Sequence, residues 1–126
     1  MGKRRWRDYA TDGGRRPVKE FLRELEPEEV AAVAVALKEV EERGLQVTRH
    51  LRGPIYEVRA HGNRVTYRIL FAPQGRRGQV LLALSAFRKK TQKTPPQLIR
   101  LAEQRLRDWE ERGIRQRRLS VGRPTR

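Results

Sequence analysis

The segment Val80-Leu81-Leu82-Ala83-Leu84-Ser85-Ala86-Phe87 constrains this chain more than any other. It is apolar at almost every position, which suits a strand covered on both faces rather than one with a solvated side. It runs straight into Arg88, Lys89, Lys90 and Lys93, so a buried strand delivers four cations to its C-terminal end. Pro95 and Pro96 then stop the extended run and open a helix, because proline fixes φ and its missing N–H is no loss in a first helical turn. The cations are predicted to sit at a strand-to-helix junction.

The rest of the chain falls around that strand. Trp6 to Tyr9 reads as a short first strand ended by the turn Thr11 to Gly14. Pro17 opens a brief helix with Val18, Phe21, Leu22 and Leu25 on one stripe. Pro27 opens a second helix, whose predicted buried face is Val30, Val33, Ala34, Leu37 and Val40 and whose stop is Gly44. Beyond Val47 the period becomes alternating. Ile55 to Arg59 puts Tyr56 and Val58 on one face and Glu57 and Arg59 on the other. His61-Gly62-Asn63-Arg64 reads as a hairpin turn, with Gly62 and Asn63 as the residues tolerant of positive φ. The chain returns through Val65, Tyr67, Ile69 and Phe71 on the core side, with Thr66 and Arg68 facing out, and Pro73 to Gly78 turns it into the apolar strand.

This order predicts an α+β fold: a small antiparallel sheet of about four strands, two N-terminal helices packed on one face, and a C-terminal helix from Pro96 to about Glu111. Residues 1–111 form the domain, and 112–126 a basic tail expected to be loosely held. Arg59 and Arg68, on neighbouring strands, are expected on the uncovered face, where the cations after Phe87 complete a concave basic surface.

With 126 residues the chain has room for one domain. It has no cysteine, so neither disulfides nor a thiolate metal site are available, and two histidines are too few for zinc. No apolar run is long enough to span a membrane, and Met1 to Arg7 lacks the apolar stretch of a signal peptide, so a soluble cytoplasmic protein with no membrane partner is expected. The net charge is +15. Residues 46–94 hold eleven Lys and Arg against a single acid, Glu57, whereas residues 17–45 are net acidic. An acidic helical segment beside a basic sheet segment gives a one-sided positive field, the footprint of a phosphate binder.

The element order, together with Pro17-Val18-Lys19-Glu20-Phe21-Leu22, Tyr56-Glu57-Val58-Arg59, Tyr67-Arg68-Ile69 and Phe87-Arg88-Lys89-Lys90-Thr91-Gln92-Lys93-Thr94-Pro95, resembles the HigB branch of the RelE-like toxins over roughly residues 6 to 110. These are toxin halves of type II toxin–antitoxin pairs, often carried by phages and plasmids. The resemblance implies a RelE-like fold, no cofactor, and an endoribonuclease that enters the ribosome and cuts messenger RNA. It also implies a cognate antitoxin with a helix-turn-helix domain. Carried across, the family's functional arginines fall on Arg59 and Arg68 and its basic group on Arg88, Lys89 and Lys90. Some relatives use a tyrosine or histidine near the C-terminal end, and this chain has neither there.

RNA can be cut without a metal when the ribose 2′-hydroxyl attacks the adjacent phosphate. The site must then take a proton, neutralise charge on the phosphoryl oxygens and protonate the leaving 5′-oxygen. Arginine suits the second task because it stays charged and grips phosphate through parallel hydrogen bonds. Arg59 and Arg68 are therefore the expected phosphate clamps. A lysine crowded by cations loses its proton more readily, so Lys89 or Lys90 is the expected base or acid. Arg64, Arg88, Lys93 and His61 complete the expected RNA contacts, with His61 an alternative proton shuttle. The rival expectation is a phage-type module that binds RNA or a nucleic-acid machine through the same surface without cutting. A sequence-specific DNA binder fits less well, since no helix-turn-helix is evident.

Overall fold

The computed structural model describes residues 3–89 and 93–122. Strands β1 (Arg5–Asp8), β2 (Arg49–Arg52), β3 (Ile55–His61), β4 (Thr66–Gln74) and β5 (Val80–Lys89) form one sheet in the order β1-β5-β4-β3-β2. Strand β1 runs parallel to β5, and the other pairs are antiparallel. With helices α1 (Pro17–Arg23), α2 (Pro27–Arg43) and α3 (Pro96–Gly122), the architecture is α+β, as the sequence order implies. The fifth strand is β2. Its residues, Arg-His-Leu-Arg, carry one apolar side chain and little periodicity, which is how short charged edge strands read.

The apolar strand is covered on both faces. Leu81 and Ala83 join Val58, Ala60, Tyr67, Ile69 and Phe71 beneath Val18, Leu25, Val33, Ala36 and Val40 of the N-terminal helical segment. Leu82 and Leu84 join Ile55, Leu70 and Ala72 against Ala102 and Leu106 of α3. The face expected to lie open is therefore partly roofed by the C-terminal helix. Helix α2 buries Val33 and Val40 and packs Leu37 against the core as expected, but Ala36 is buried in place of Ala34, and Val30 and Ala34 are exposed. The small Ala36 side chain lets this stripe approach the sheet. Trp6 fixes the rotation by donating from Nε1 to the Leu37 carbonyl at 2.8 Å.

Helix starts follow the sequence signals. Pro17 and Pro27 occupy the first helical turns, and Glu26 and Glu29 form a reciprocal capping box at the head of α2. Helix α3 runs past its expected end at Glu111 to Gly122. Tertiary contacts hold the turn before Gly113: Arg112 pairs with Asp108 at 2.9 Å, hydrogen-bonds the Ala10 carbonyl, and lies 5.6 Å from the Tyr9 ring centre. Among the described residues, no helix is long and apolar enough to cross a membrane.

The β3–β4 hairpin departs from its expected backbone. The residue with positive φ is Arg64, at 68°, rather than Gly62 or Asn63. Gly62 is required for a different reason: a Cβ there would overlap the Tyr67 ring. Gly62→Ala is expected to lower stability by about 1–3 kcal/mol through this overpacking, read as a lower urea midpoint with an unchanged slope.

Candidate nucleic-acid interface

An irregularity in β5 decides which cations share a face. Leu70 of β4 pairs with Ser85, while the next residue, Phe71, pairs with Ala83, so Leu84 is an extra residue in the ladder. Strict alternation from Leu82 would have placed Arg88 on the α3 side. The bulge reverses the phase. Phe87 and Lys89 follow Leu82 and Leu84 onto the α3 side, and Ala86 and Arg88 turn to the α1–α2 side. Arg105 of α3 donates from Nη1 to the Leu84 carbonyl at 2.7 Å, satisfying an acceptor at the irregular position.

Register then gathers the site. Arg59 lies opposite Arg68, which lies opposite Phe87. One row further out, His61 lies opposite Thr66, which lies opposite Lys89. One row inward, Arg49 of β2 lies opposite Glu57. Adjacent strands are about 4.8 Å apart, so His61 and Lys89 stand about 10 Å apart across the open end of the sheet, with the arginines just behind.

At the centre of this cluster is a carboxylate. Glu57 has no exposed surface, and Arg59, 17% exposed at its side chain, donates from Nε to Glu57 Oε1 at 2.7 Å. Arg68, 1% exposed, brings Nη1 to 3.9 Å from Glu57 Oε2 and to 3.2 Å from the Thr94 hydroxyl, to which it donates. Thr94 in turn donates to Glu57 Oε2. A buried carboxylate thus holds two guanidiniums, and the residue just before the α3 prolines closes the network. Burial, then the charge of Arg59, pushes the Arg68 pKa down from its ordinary value; the Glu57 charge acts the other way.

The expected site residues separate in the fold. Arg59, Arg68, Lys89 and His61 share one face, Arg59 and Lys89 half-buried and His61 exposed. Arg68 does not face open solvent as expected: it is buried, and it donates to the Thr94 hydroxyl. Lys93 is exposed next to Thr94, and Arg64 is exposed at the hairpin tip. Arg88 is across the sheet, 3.7 Å from Glu29 of α2, so it does not belong to the concave surface. Lys90 lies outside the described residues. Sequence reasoning alone leaves Arg49, Thr94 and Glu57 out of the site. The signal for Glu57 was its being the single acid among the cations of residues 46–94. Among the described residues, no group of three or more His, Cys, Asp or Glu is placed to hold a metal ion.

The reverse face carries its own polar anchor. Tyr67 donates its hydroxyl to Glu29, whose other oxygen accepts from the Glu26 backbone N–H at 2.8 Å. These bonds, the tyrosine's first, hold the Glu29 carboxyl below its usual pKa. A depressed folded-state pKa stabilises the fold fully above the unfolded value of about 4.3 and loses that contribution as pH falls through the folded value. Tyr67→Phe removes the larger cause. Its stability is expected to fall less steeply than wild type between about pH 4.3 and the lowered Glu29 value, checked by urea unfolding at a series of acid pH values.

No curated protein matches the chain. Residues 20–107, from α1 through the middle of α3, match the family described as Phage derived protein Gp49-like (DUF891). That span contains β2 to β5, the buried Glu57 network and both rows of outward-facing residues. With most of its length matched, including every strand that builds the interface, the chain belongs to the phage-derived Gp49-like family.

Proposed function

We propose that this protein is the toxin-like half of a type II toxin–antitoxin pair, of the HigB and RelE-like kind. In this reading it cuts ribosome-bound messenger RNA by 2′-hydroxyl attack. The observation that carries the reading is the convergence of Arg59, Lys89 and His61 on one sheet face, above an Arg68–Glu57 pair that fixes the position of Arg59. Membership of a phage-derived family supports it.

Each role follows from placement. Arg59 is oriented by Glu57 and still partly exposed, so its guanidinium can take the phosphoryl oxygens as charge grows there. Arg68 contributes positive potential from beneath and keeps the Glu57 charge matched. Lys89 and His61 flank the arginines, which suits one to accept the 2′-hydroxyl proton and the other to protonate the leaving 5′-oxygen. Lys90 keeps the alternative role expected of it from the sequence.

The partners in this reading are the ribosome, its message and a helix-turn-helix antitoxin, and the compartment is the cytoplasm. A purified translation system tests it directly. Wild-type protein should produce cuts within translated codons, and Lys89→Ala and His61→Ala should each reduce them by about 10²–10⁴-fold if they act as acid and base. Intact message with wild-type protein would reject the nuclease. The enclosure of Arg68 favours a second reading, a binding module that retains the basic sheet without cleavage. That reading expects salt-dependent RNA binding and no cut ends.

A further inference from the structure

Strand β5 is paired on both sides only as far as Ala83. Its ladder with β1 ends at Asp8 opposite Ala83, and the Tyr9 N–H donates to the Ala83 carbonyl at 2.9 Å. The Tyr9 side chain packs with α3 and donates to Asp108 at 2.6 Å, and the chain leaves the sheet there. From Ser85 to Lys89 the other side of β5 remains paired with β4, opposite Leu70 to Thr66. Burial changes at the same point. Leu81 to Ser85 are buried, whereas Ala86, Phe87 and Lys89 are half-buried and Arg88 is exposed. The side chains tell where the backbone groups point, because in a strand of L-residues the side-chain face and the direction of the N–H and C=O alternate together. Ala83, with its side chain on the α1–α2 side, turns its carbonyl to β1. Ala86 and Arg88 share that side, so their N–H and C=O groups point the same way, past the end of β1. Phe87, on the α3 side, points instead to Arg68 of β4. Among the described residues, no backbone group from beyond the ladder bonds to the Ala86 or Arg88 main chain.

We infer that this edge of β5, from Ser85 to Lys89, takes an extended acidic segment of a partner protein as an added strand. An unpaired strand edge is a template for a second backbone, and five residues, about 17 Å, is the length of an ordinary strand. The side chains set the partner's chemistry. On the α3 side, Lys89 stands at one end of the edge and Arg105, bonded to the Leu84 carbonyl, at the other. Burial lowers the Arg105 pKa, a cost that a carboxylate beside it offsets. On the α1–α2 side the edge offers Ala86, which packs on the same core as the half-buried Phe21 and Leu22. Carboxylates alternating with apolar side chains therefore fit both faces. Acids on the adjoining helices are already matched, Glu29 to Arg88 and Glu20 to Arg15. A second copy of this chain would set the cations of the edge against each other, and a nucleic-acid backbone lacks the amide repeat that pairs with a strand. The added strand lies beside Lys89, so such a partner covers part of the candidate interface.

This inference does not rest on cleavage, and its test uses no RNA, so the two readings fail separately. The probe is a capped peptide of alternating Glu and Val, added to the full chain and followed by amide hydrogen exchange. A Lys and Val peptide of the same length and a fully N-methylated Glu and Val peptide are the controls. In the free protein the Ala86 and Arg88 amides should exchange at least about tenfold faster than that of Phe87, which is bonded to β4. The acidic peptide should bind saturably and slow both amides at least about tenfold. The basic peptide should not bind, for want of charge match, nor the N-methylated one, for want of donors. Ala86→Pro removes only an N–H that points off the sheet, so it should stay folded and lose the binding. The N-methylated peptide gives the same contrast without touching the fold. No binding of the acidic peptide, equal binding of either control, or binding that leaves the Ala86 and Arg88 amides unchanged overturns the inference. So does slowing of those amides by raised protein concentration alone, which would name a second copy as the occupant.

Discussion

Glu57→Ala is expected to be the most destabilising single substitution at the interface, costing about 3–5 kcal/mol, because it leaves the buried Arg68 charge without its carboxylate. The alanine also leaves the Thr94 hydroxyl proton without the acceptor it has in Glu57. Glu57→Gln keeps the shape and an acceptor but not the charge, so its cost should be smaller. The informative comparison is the double variant Glu57→Leu/Arg68→Met. Removing both charges and filling the volume should recover most of the loss, since a buried ion pair is held together more than it stabilises. Urea unfolding of wild type, Glu57→Leu, Arg68→Met and the double variant measures the cycle. A Glu57→Ala protein within about 0.5 kcal/mol of wild type would mean that the carboxylate is not enclosed as described.

Arg59→Ala should lower message cleavage by about 10²–10³-fold while costing only about 1–3 kcal/mol of stability. The two effects separate because Arg59 is partly exposed, and its removal leaves Glu57 still bonded to Thr94 and close to Arg68. Arg59→Lys restores the charge but not the parallel pair of donors, so its activity should fall between the two. Single-turnover cleavage in the purified translation system, run well below the variant's unfolding temperature, gives the chemical step. Loss of message affinity with an unchanged cleavage rate would reassign Arg59 from the reacting phosphate to RNA binding.

Much of the fold was legible because its signals are local. The nearly continuous apolar run from Val80, the alternation of Tyr67, Ile69 and Phe71, and the prolines at 17, 27 and 96 each identify an element without reference to the others. The pairing of Arg59 with Arg68 followed from their positions on neighbouring strands. What escaped notice depends on tertiary contacts. Nothing in Val80 to Lys89 announces that Leu84 is an extra residue, yet that bulge sends Lys89 to the interface and Arg88 to Glu29. The enclosed Arg68–Glu57 pair is completed by Thr94, 26 residues further along the chain from Arg68. The turns of α3 beyond Gly113 lack an apolar stripe, and the anchor lies just before them, from Arg112 to Asp108 and Ala10.

The most direct measurement uses a message with one 2′-deoxynucleotide at the position cut in its all-ribose counterpart, translated in the purified system. Wild-type protein is expected to leave a 2′,3′-cyclic phosphate and a 5′-hydroxyl on the ribose message, and no cut at the deoxy position. Cleavage that persists at the deoxy position, or a ribose message that survives intact, would contradict this expectation.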